Sequence, residues 1–236
     1  MSERVALRIA DDIIARRLQP GDGLPAEAAM LGLYSVSRES LREGLRLLEV
    51  QGLISIRRGP GGGPVVGTVD PANLGRMSTL YFHMAGATYG EVFEAWVVSE
   101  GILAWRAARN PDEALRLAKM APYLEDHHDP SDPEELESFV RSHVRFHGEI
   151  ASLAQNRVLE LSLQTFGQIV SHHVALEDDP RAMQELIAHD HLRLARAIVA
   201  GQPTRARNLM MKHIEAVRDY TAQKLGDRIN DYVEWK

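Results

Sequence analysis

Apolar residues recur at helical spacing along most of this chain. Val5, Ile9 and Ile13, with Ile14 beside them, predict a helix over 3–17. Pro20-Gly21-Asp22-Gly23 makes a turn, and Leu24-Pro25-Ala26-Glu27 leads into a short helix at about 26–33. After the tight turn Tyr34-Ser35-Val36, a third helix runs to about Gln51. Leu41, Leu45 and Leu48 share one of its faces, and Gly52 stops it. Leu53-Ile54-Ser55-Ile56 reads as a strand. Arg57-Arg58, the tip Gly59-Pro60-Gly61-Gly62-Gly63 and a returning strand from Pro64-Val65-Val66 follow. A linker over 68–76, containing Asp70-Pro71, then separates residues 1–67 from an all-helical domain over 77–228 and a tail over 229–236. The helical segments lie near 77–84, 89–108, 111–124, 132–152, 156–175, 180–200 and 203–225. Asn110-Pro111, Asp129-Pro130-Ser131-Asp132-Pro133, Asp179-Pro180 and Gly201-Gln202-Pro203 mark the breaks. The expected fold class is mainly α, with the second domain an antiparallel helical bundle.

The third helix has a second face. Arg38, Arg42 and Arg46 sit four apart and share it. Ser37 is a good N-cap, and Glu39 suits the positive end of the helix dipole. Helix, helix, turn, helix and hairpin is the order of a winged helix-turn-helix, whose third helix enters a DNA groove. The net charge of −6 is unevenly spread: residues 1–67 hold nine Arg against eight acidic residues, so the acidic excess lies in the helical half. Every basic residue of the first segment is arginine, which suits planar contacts to phosphate and guanine edges. The chain has no cysteine, which excludes disulfides and thiolate ligands. It shows neither a signal-peptide pattern nor an apolar run of membrane-spanning length, so a cytoplasmic location and no membrane partner are expected.

Histidine carries the chemistry of the second half. The stripe Leu136, Phe139/Val140, Ile150 and Leu153 has gaps filled by His143 and His147, four apart, so both imidazoles can reach one ion. His191 completes the stripe Met183, Ile187, Leu194 and Ile198. His213 sits within Ala206, Met210, Val217 and Tyr220. His173 lies near a further stripe, with Phe166 and Val170. Two readings stand: buried histidines satisfied by hydrogen bonds, or ligands meeting at one ion inside the bundle. Each unpaired buried imidazole costs on the order of 1–3 kcal/mol. Imidazole without thiolate suits Zn, Ni, Co, Fe or Mn.

With these features in view, the chain resembles the GntR family of bacterial transcription regulators, in the FadR-like subgroup that carries an all-helical FCD ligand domain. Pro20-Gly21-Asp22-x-Leu24-Pro25-x-Glu27, Val36-Ser37-Arg38-x-x-x-Arg42-Glu43-x-Leu45 and Gly59-Pro60-Gly61-Gly62-Gly63 match its DNA-binding pattern in order. Phe146-His147, then His191 with Ala197-Ile198 behind it, then His213 match the FCD pattern. The resemblance implies that Arg38 and Arg42 contact bases and phosphates, flanked by Ser37 and Glu39, and that Gly61 and Gly62 form the wing tip. It also implies that His147, His191 and His213 bind a metal ion. Arg46 extends the arginine stripe on physical grounds and reaches phosphate.

Three positions depart from the pattern. Ala28 stands where an arginine is usual. His143 replaces the usual aspartate ligand: either it ligates, and four neutral ligands favour nitrogen-seeking Zn or Ni, or it turns away and three ligands remain. Trp96 occupies the place of an arginine that receives effector carboxylates, four before Glu100. Trp96 is then core or dimer packing, or an aromatic wall for a larger effector, with Glu100 and His173 beside it.

The expected function is a homodimeric DNA-binding transcriptional regulator, most simply a repressor. It would read an inverted-repeat double-stranded operator and respond to a small-molecule effector, such as an organic acid, beside the metal. One rival is a metal-dependent hydrolase with an N-terminal interaction module. His143-x-x-x-His147 has Val144 where a zinc peptidase carries its glutamate base, and no serine- or cysteine-centred constellation is evident. The other rival is a ligand-free dimeric DNA-binding scaffold.

Overall fold

The computed structural model describes residues 1–59, 62–68, 70–125, 133–173 and 180–235, with the side chains of 133–142, 171–173, 180–188 and 225 excepted. The chain divides into two units, Met1–Asn73 and Leu74–Lys236.

The first unit holds α1 (Ser2–Ala15), α2 (Glu27–Tyr34), α3 (Arg38–Val50), β1 (Ile54–Arg57) and β2 (Gly63–Val66). Its core joins Val5 and Ile9 of α1, Met30 and Tyr34 of α2, Leu41, Leu45 and Leu48 of α3, and Ile54 of β1. The α3 leucines are buried as their spacing predicts, whereas Ile14, at the end of α1, is exposed. The two strands pair antiparallel, Ile54 opposite Val66 and Arg57 opposite Gly63. The segment read as a plain turn also joins this sheet. Gly21 N–H donates to Val66 O and Leu24 N–H to Pro64 O, and Gly23 bridges Val65. The wing is thus backed by residues 21–24, a pairing with no local sequence signal.

Tyr34 fastens α1 to α2. Its hydroxyl donates to Asp12 Oδ2 at 2.7 Å, while Arg8 Nη1 donates to Tyr34 O at 2.9 Å and the guanidinium lies over the ring. Burial, and then the bond to Asp12, push the phenol pKa up to about 12, so the hydroxyl remains a donor.

The second unit is α4 (Pro71–Met84, which begins just before the division), α5 (Tyr89–Ala108), α6 (Glu113–Met120), α7 (Pro133–Ala154), α8 (Arg157–His173), α9 (Pro180–Val199) and α10 (Pro203–Leu225). Most helices match the predicted segments within two residues. α4 starts earlier, inside the segment read as a linker, because Asp70-Pro71 is a helix start. The Asp70 carboxylate accepts from Ala72 N–H at 2.9 Å and Pro71 occupies the first turn, where its missing N–H costs nothing. α6 is shorter than expected. Asp112 caps it by accepting from Leu115 N–H, and it passes into a 3-10 turn at Ala121–Tyr123, around Pro122.

α5 is the central rod, burying Val92, Phe93, Trp96, Val97, Leu103, Ala104 and Ala107. α10 approaches it closely at Gly101, where a Cβ would stand 2.7 Å from Met211 Cγ. Three helix ends are held by side chains. Arg106 Nε donates to Ala154 O, Asn110 Nδ2 to Leu153 O, and Arg116 to the carbonyls of Asn110 and Val199. A cation there satisfies otherwise unpaired carbonyls and opposes the negative helix ends.

The segment expected as a tail packs back on the helices. A 3-10 turn (Gly226–Asn230) returns the chain so that Val233 is fully buried. Tyr89 N–H donates to Asp231 O, Val233 N–H to Ala87 O, and His83 Nδ1 is 2.9 Å from Val233 O. A carbonyl only accepts, so His83 carries its proton on Nδ1.

Tyr34→Phe removes the link to Asp12 while keeping the ring. It is expected to lower stability by about 1 kcal/mol, read as a lower urea midpoint with an unchanged slope. An unchanged midpoint would show that the hydrogen bond contributes nothing net.

Candidate functional site

The arginine surface is built on α3. Ser37 caps the helix, its hydroxyl accepting from Ser40 N–H at 3.2 Å. The leucine face is anchored in the core, so the opposite face points outward. The Arg38 and Arg42 side chains are 66% and 65% exposed, free enough to enter a groove. Both approach one carboxylate: Glu27 Oε1 is 3.1 Å from Arg42 Nε and 3.8 Å from Arg38 Nε. Exposed pairs of this kind are worth less than about 1 kcal/mol each, so phosphate can displace Glu27. Glu39 and Arg46 are also exposed. Glu27 lies on a different helix from the two arginines, 15 residues before Arg42, and reaches them through the packing of α2 on α3.

On the wing, Gly62 N–H donates to Gly59 O at 2.9 Å. A Cβ at Gly62 would run into the carbonyls of Arg57 and Gly59, so the tight tip demands glycine there. Gly61 lies outside the described residues. Arg57 and Arg58 are exposed at the base of the tip, adding positive charge beside it.

The second constellation is deep in the helical unit. His143 and His147 of α7, His191 of α9 and His213 of α10 each offer a nitrogen, and these nitrogens all lie within 4.8 Å of one another. His143 Nδ1 and His191 Nε2 are 3.2 Å apart. Two nitrogens at zinc-ligand distance from one ion, in tetrahedral arrangement, stand about 3.3 Å apart, so this spacing suits a shared ion. Phe146 stacks on His191 with ring centroids 4.1 Å apart, and Phe146, Ile150 and Leu194 are fully buried. The imidazoles therefore sit in an apolar setting.

Burial holds His143 well below the ordinary histidine range, and the neighbouring His147 and His213 lower it further. Burial also lowers His213, opposed by Asp190. Neutral imidazoles are the form that ligates a metal. Neither ring nitrogen of His147 or of His213 has an aligned hydrogen-bond partner. No hydrogen bond fills Nε2 of either ring, and a divalent ion fits the donor set.

Two carboxylates approach the outer edges of the cluster. Glu100 of α5 is fully buried, with Oε1 2.6 Å from His147 Nδ1, although the contact lacks hydrogen-bond alignment. Asp190 Oδ2 is 3.6 Å from His213 Nδ1. Asp190 directly precedes His191, and only the fold shows that it faces His213. Trp96, one turn before Glu100, is buried against Phe93 with its indole N–H unpartnered. His173 closes α8, and its side chain lies outside the described residues, as do those of Leu136, Phe139, Val140, Met183 and Ile187. Glu149 turns outward to Lys119, at 2.6 Å. No helix among the described residues is long and apolar enough to cross a membrane.

Known families match both halves of the chain. The FCD domain matches residues 91–216, more than half of the chain, and the bacterial regulatory protein family gntR matches residues 1–62. An uncharacterized HTH-type transcriptional regulator of Bacillus subtilis, YcbG, is 27% identical over 226 residues, covering 93% of this chain and 89% of its own. The HTH-type transcriptional repressor NanR of Cronobacter sakazakii is 25% identical over 228 residues, covering 92% of this chain and 84% of its own. The solved structure of a GntR protein from Streptococcus agalactiae superposes with a TM-score of 0.65 at 22% identity, over 93% of this chain and 100% of that one, which shows a shared fold. With an arginine-bearing winged helix-turn-helix joined to a histidine-centred helical domain, the chain belongs to the GntR family, in its FCD-domain branch, and is a DNA-binding transcriptional regulator and not an enzyme.

Proposed function

We propose that the protein is a homodimeric repressor whose hold on an inverted-repeat operator is set by a small metabolite meeting a divalent metal ion in the helical domain. One observation carries this reading: four imidazoles from three helices converge at a buried point, in a chain whose other unit displays an exposed arginine pair.

Residues 1–67 read the DNA. Arg38 and Arg42 meet base edges and phosphates, Ser37 and Glu39 flank them at the start of α3, Arg46 reaches phosphate, and the wing tip with Gly61 and Gly62 enters a neighbouring groove. Two copies present two such modules to the two halves of the repeat. In the helical domain, His143, His147, His191 and His213 hold the ion. An all-imidazole donor set favours Zn or Ni over oxygen-seeking Mn. When bound, the ion supplies an electrophilic point that accepts a lone pair from an oxygen of the effector, an organic acid or a related metabolite. Trp96 offers the effector a buried N–H with no other partner, and His173 at the end of α8 is assigned to the same ligand. An effector that binds better when the two DNA modules are spaced wrongly for the operator lowers DNA affinity by the same factor that DNA lowers its own.

Replacing Arg38 and Arg42 together by Ala is expected to abolish sequence-selective binding to genomic fragments that the unsubstituted protein captures, with helical content unchanged by circular dichroism. Retention of the same fragments at equal affinity would remove α3 from the DNA interface. Replacing His191 and His213 together by Ala is expected to lower zinc content, by elemental analysis, and the midpoint of thermal unfolding. Unchanged zinc stoichiometry would show that the ion sits elsewhere.

A further inference from the structure

Glu100 stands out among the buried groups. Its side chain is fully buried on α5, between Trp96 one turn before and Leu103 and Ala104 one turn after, all apolar and buried. Neither of its carboxylate oxygens has an aligned hydrogen bond. A buried carboxylate without hydrogen bonds costs several kcal/mol, and proteins retain one where a positive charge compensates it. Four neutral imidazoles around a dication leave two positive charges in an apolar core, so the ion and Glu100 each lack what the other provides. Oε1 already lies 2.6 Å from Nδ1 of His147, one of the four clustered histidines, while Glu100 itself is not among the groups that converge there. Asp190 approaches His213 in the same manner, but at 3.6 Å and from a partly exposed position.

We propose that Glu100 is the outer carboxylate of the metal centre. It accepts the Nδ1–H of His147, which fixes the tautomer and turns the Nε2 lone pair toward the ion, and it supplies half of the negative charge that the inner ligands lack. Asp190 supplies the other half through His213. Glu100 is thus a positioning residue acting through His147, and does not itself meet the effector. This rests on the reading of the four histidines as metal ligands.

The test uses zinc alone, with no effector, on the full chain. Glu100→Gln keeps size and shape but removes the charge. It is expected to weaken zinc binding about 10–100-fold in competition with a chromophoric chelator, with helical content unchanged. Long-range nitrogen–proton NMR of the unsubstituted, zinc-loaded protein reads the tautomer directly and needs no variant to fold. His147 is expected to carry its proton on Nδ1. Zinc affinity of Glu100→Gln within twofold of the unsubstituted chain, or a His147 proton on Nε2, would overturn the assignment while leaving the metal centre standing. Failure of the unsubstituted chain to take up either zinc or nickel would instead overturn the metal reading, and this assignment with it.

Discussion

Four imidazole rings crowded within 4.8 Å of ligand-atom separation, inside an apolar helical core, are the constraint around which the second unit is organised. Like groups do not pack this way for hydrophobic reasons. Each ring has two nitrogens that seek partners, and those of His147 and His213 find none aligned in the protein. A bound ion would remove the cost by converting several unsatisfied acceptors into ligands. The surrounding architecture supplies the rigidity that such a site needs. α7, α9 and α10 carry the rings, α5 packs among them, and Arg106, Asn110 and Arg116 hold the ends of α5, α7 and α9.

The DNA-reading unit works on opposite terms. Its arginines are exposed, and Glu27 holds them loosely. A surface ion pair orients two long side chains without committing them, because its net strength is small in water. The buried side of the same helix is committed, with Leu41, Leu45 and Leu48 sealed against α1 and α2. The division of labour within α3 follows from helical spacing alone: residues four apart share a face, so a leucine series and an arginine series can coexist in thirteen residues. The wing depends on a backbone constraint, since the space at Gly62 is filled by neighbouring carbonyls.

Much of this was legible in the sequence. Long periodic segments such as 89–108 and 203–225 coincide with α5 and α10, because local spacing and the burial it produces are coupled. The convergence of His143, His147, His191 and His213 could be inferred from their places on apolar stripes. What escaped was non-local. The pairing of residues 21–24 with β2 and the return of Val233 onto the start of α5 depend on chain reversals that leave no periodic trace. Asp70-Pro71 fits a linker and a helix start alike, and the side-chain cap at Ala72 N–H shows that it starts α4. Glu100 was singled out only by its spacing from Trp96, and its closeness to His147 is a contact between α5 and α7 that only the fold reveals.

The most direct test of the central claim is anomalous X-ray diffraction from crystals of the purified protein, recorded on both sides of the zinc absorption edge. The account predicts a single strong peak within ligand distance of nitrogens from His143, His147, His191 and His213. Four histidines hydrogen-bonded to one another or to water, with no anomalous peak among them at the zinc edge or at that of nickel, would contradict it.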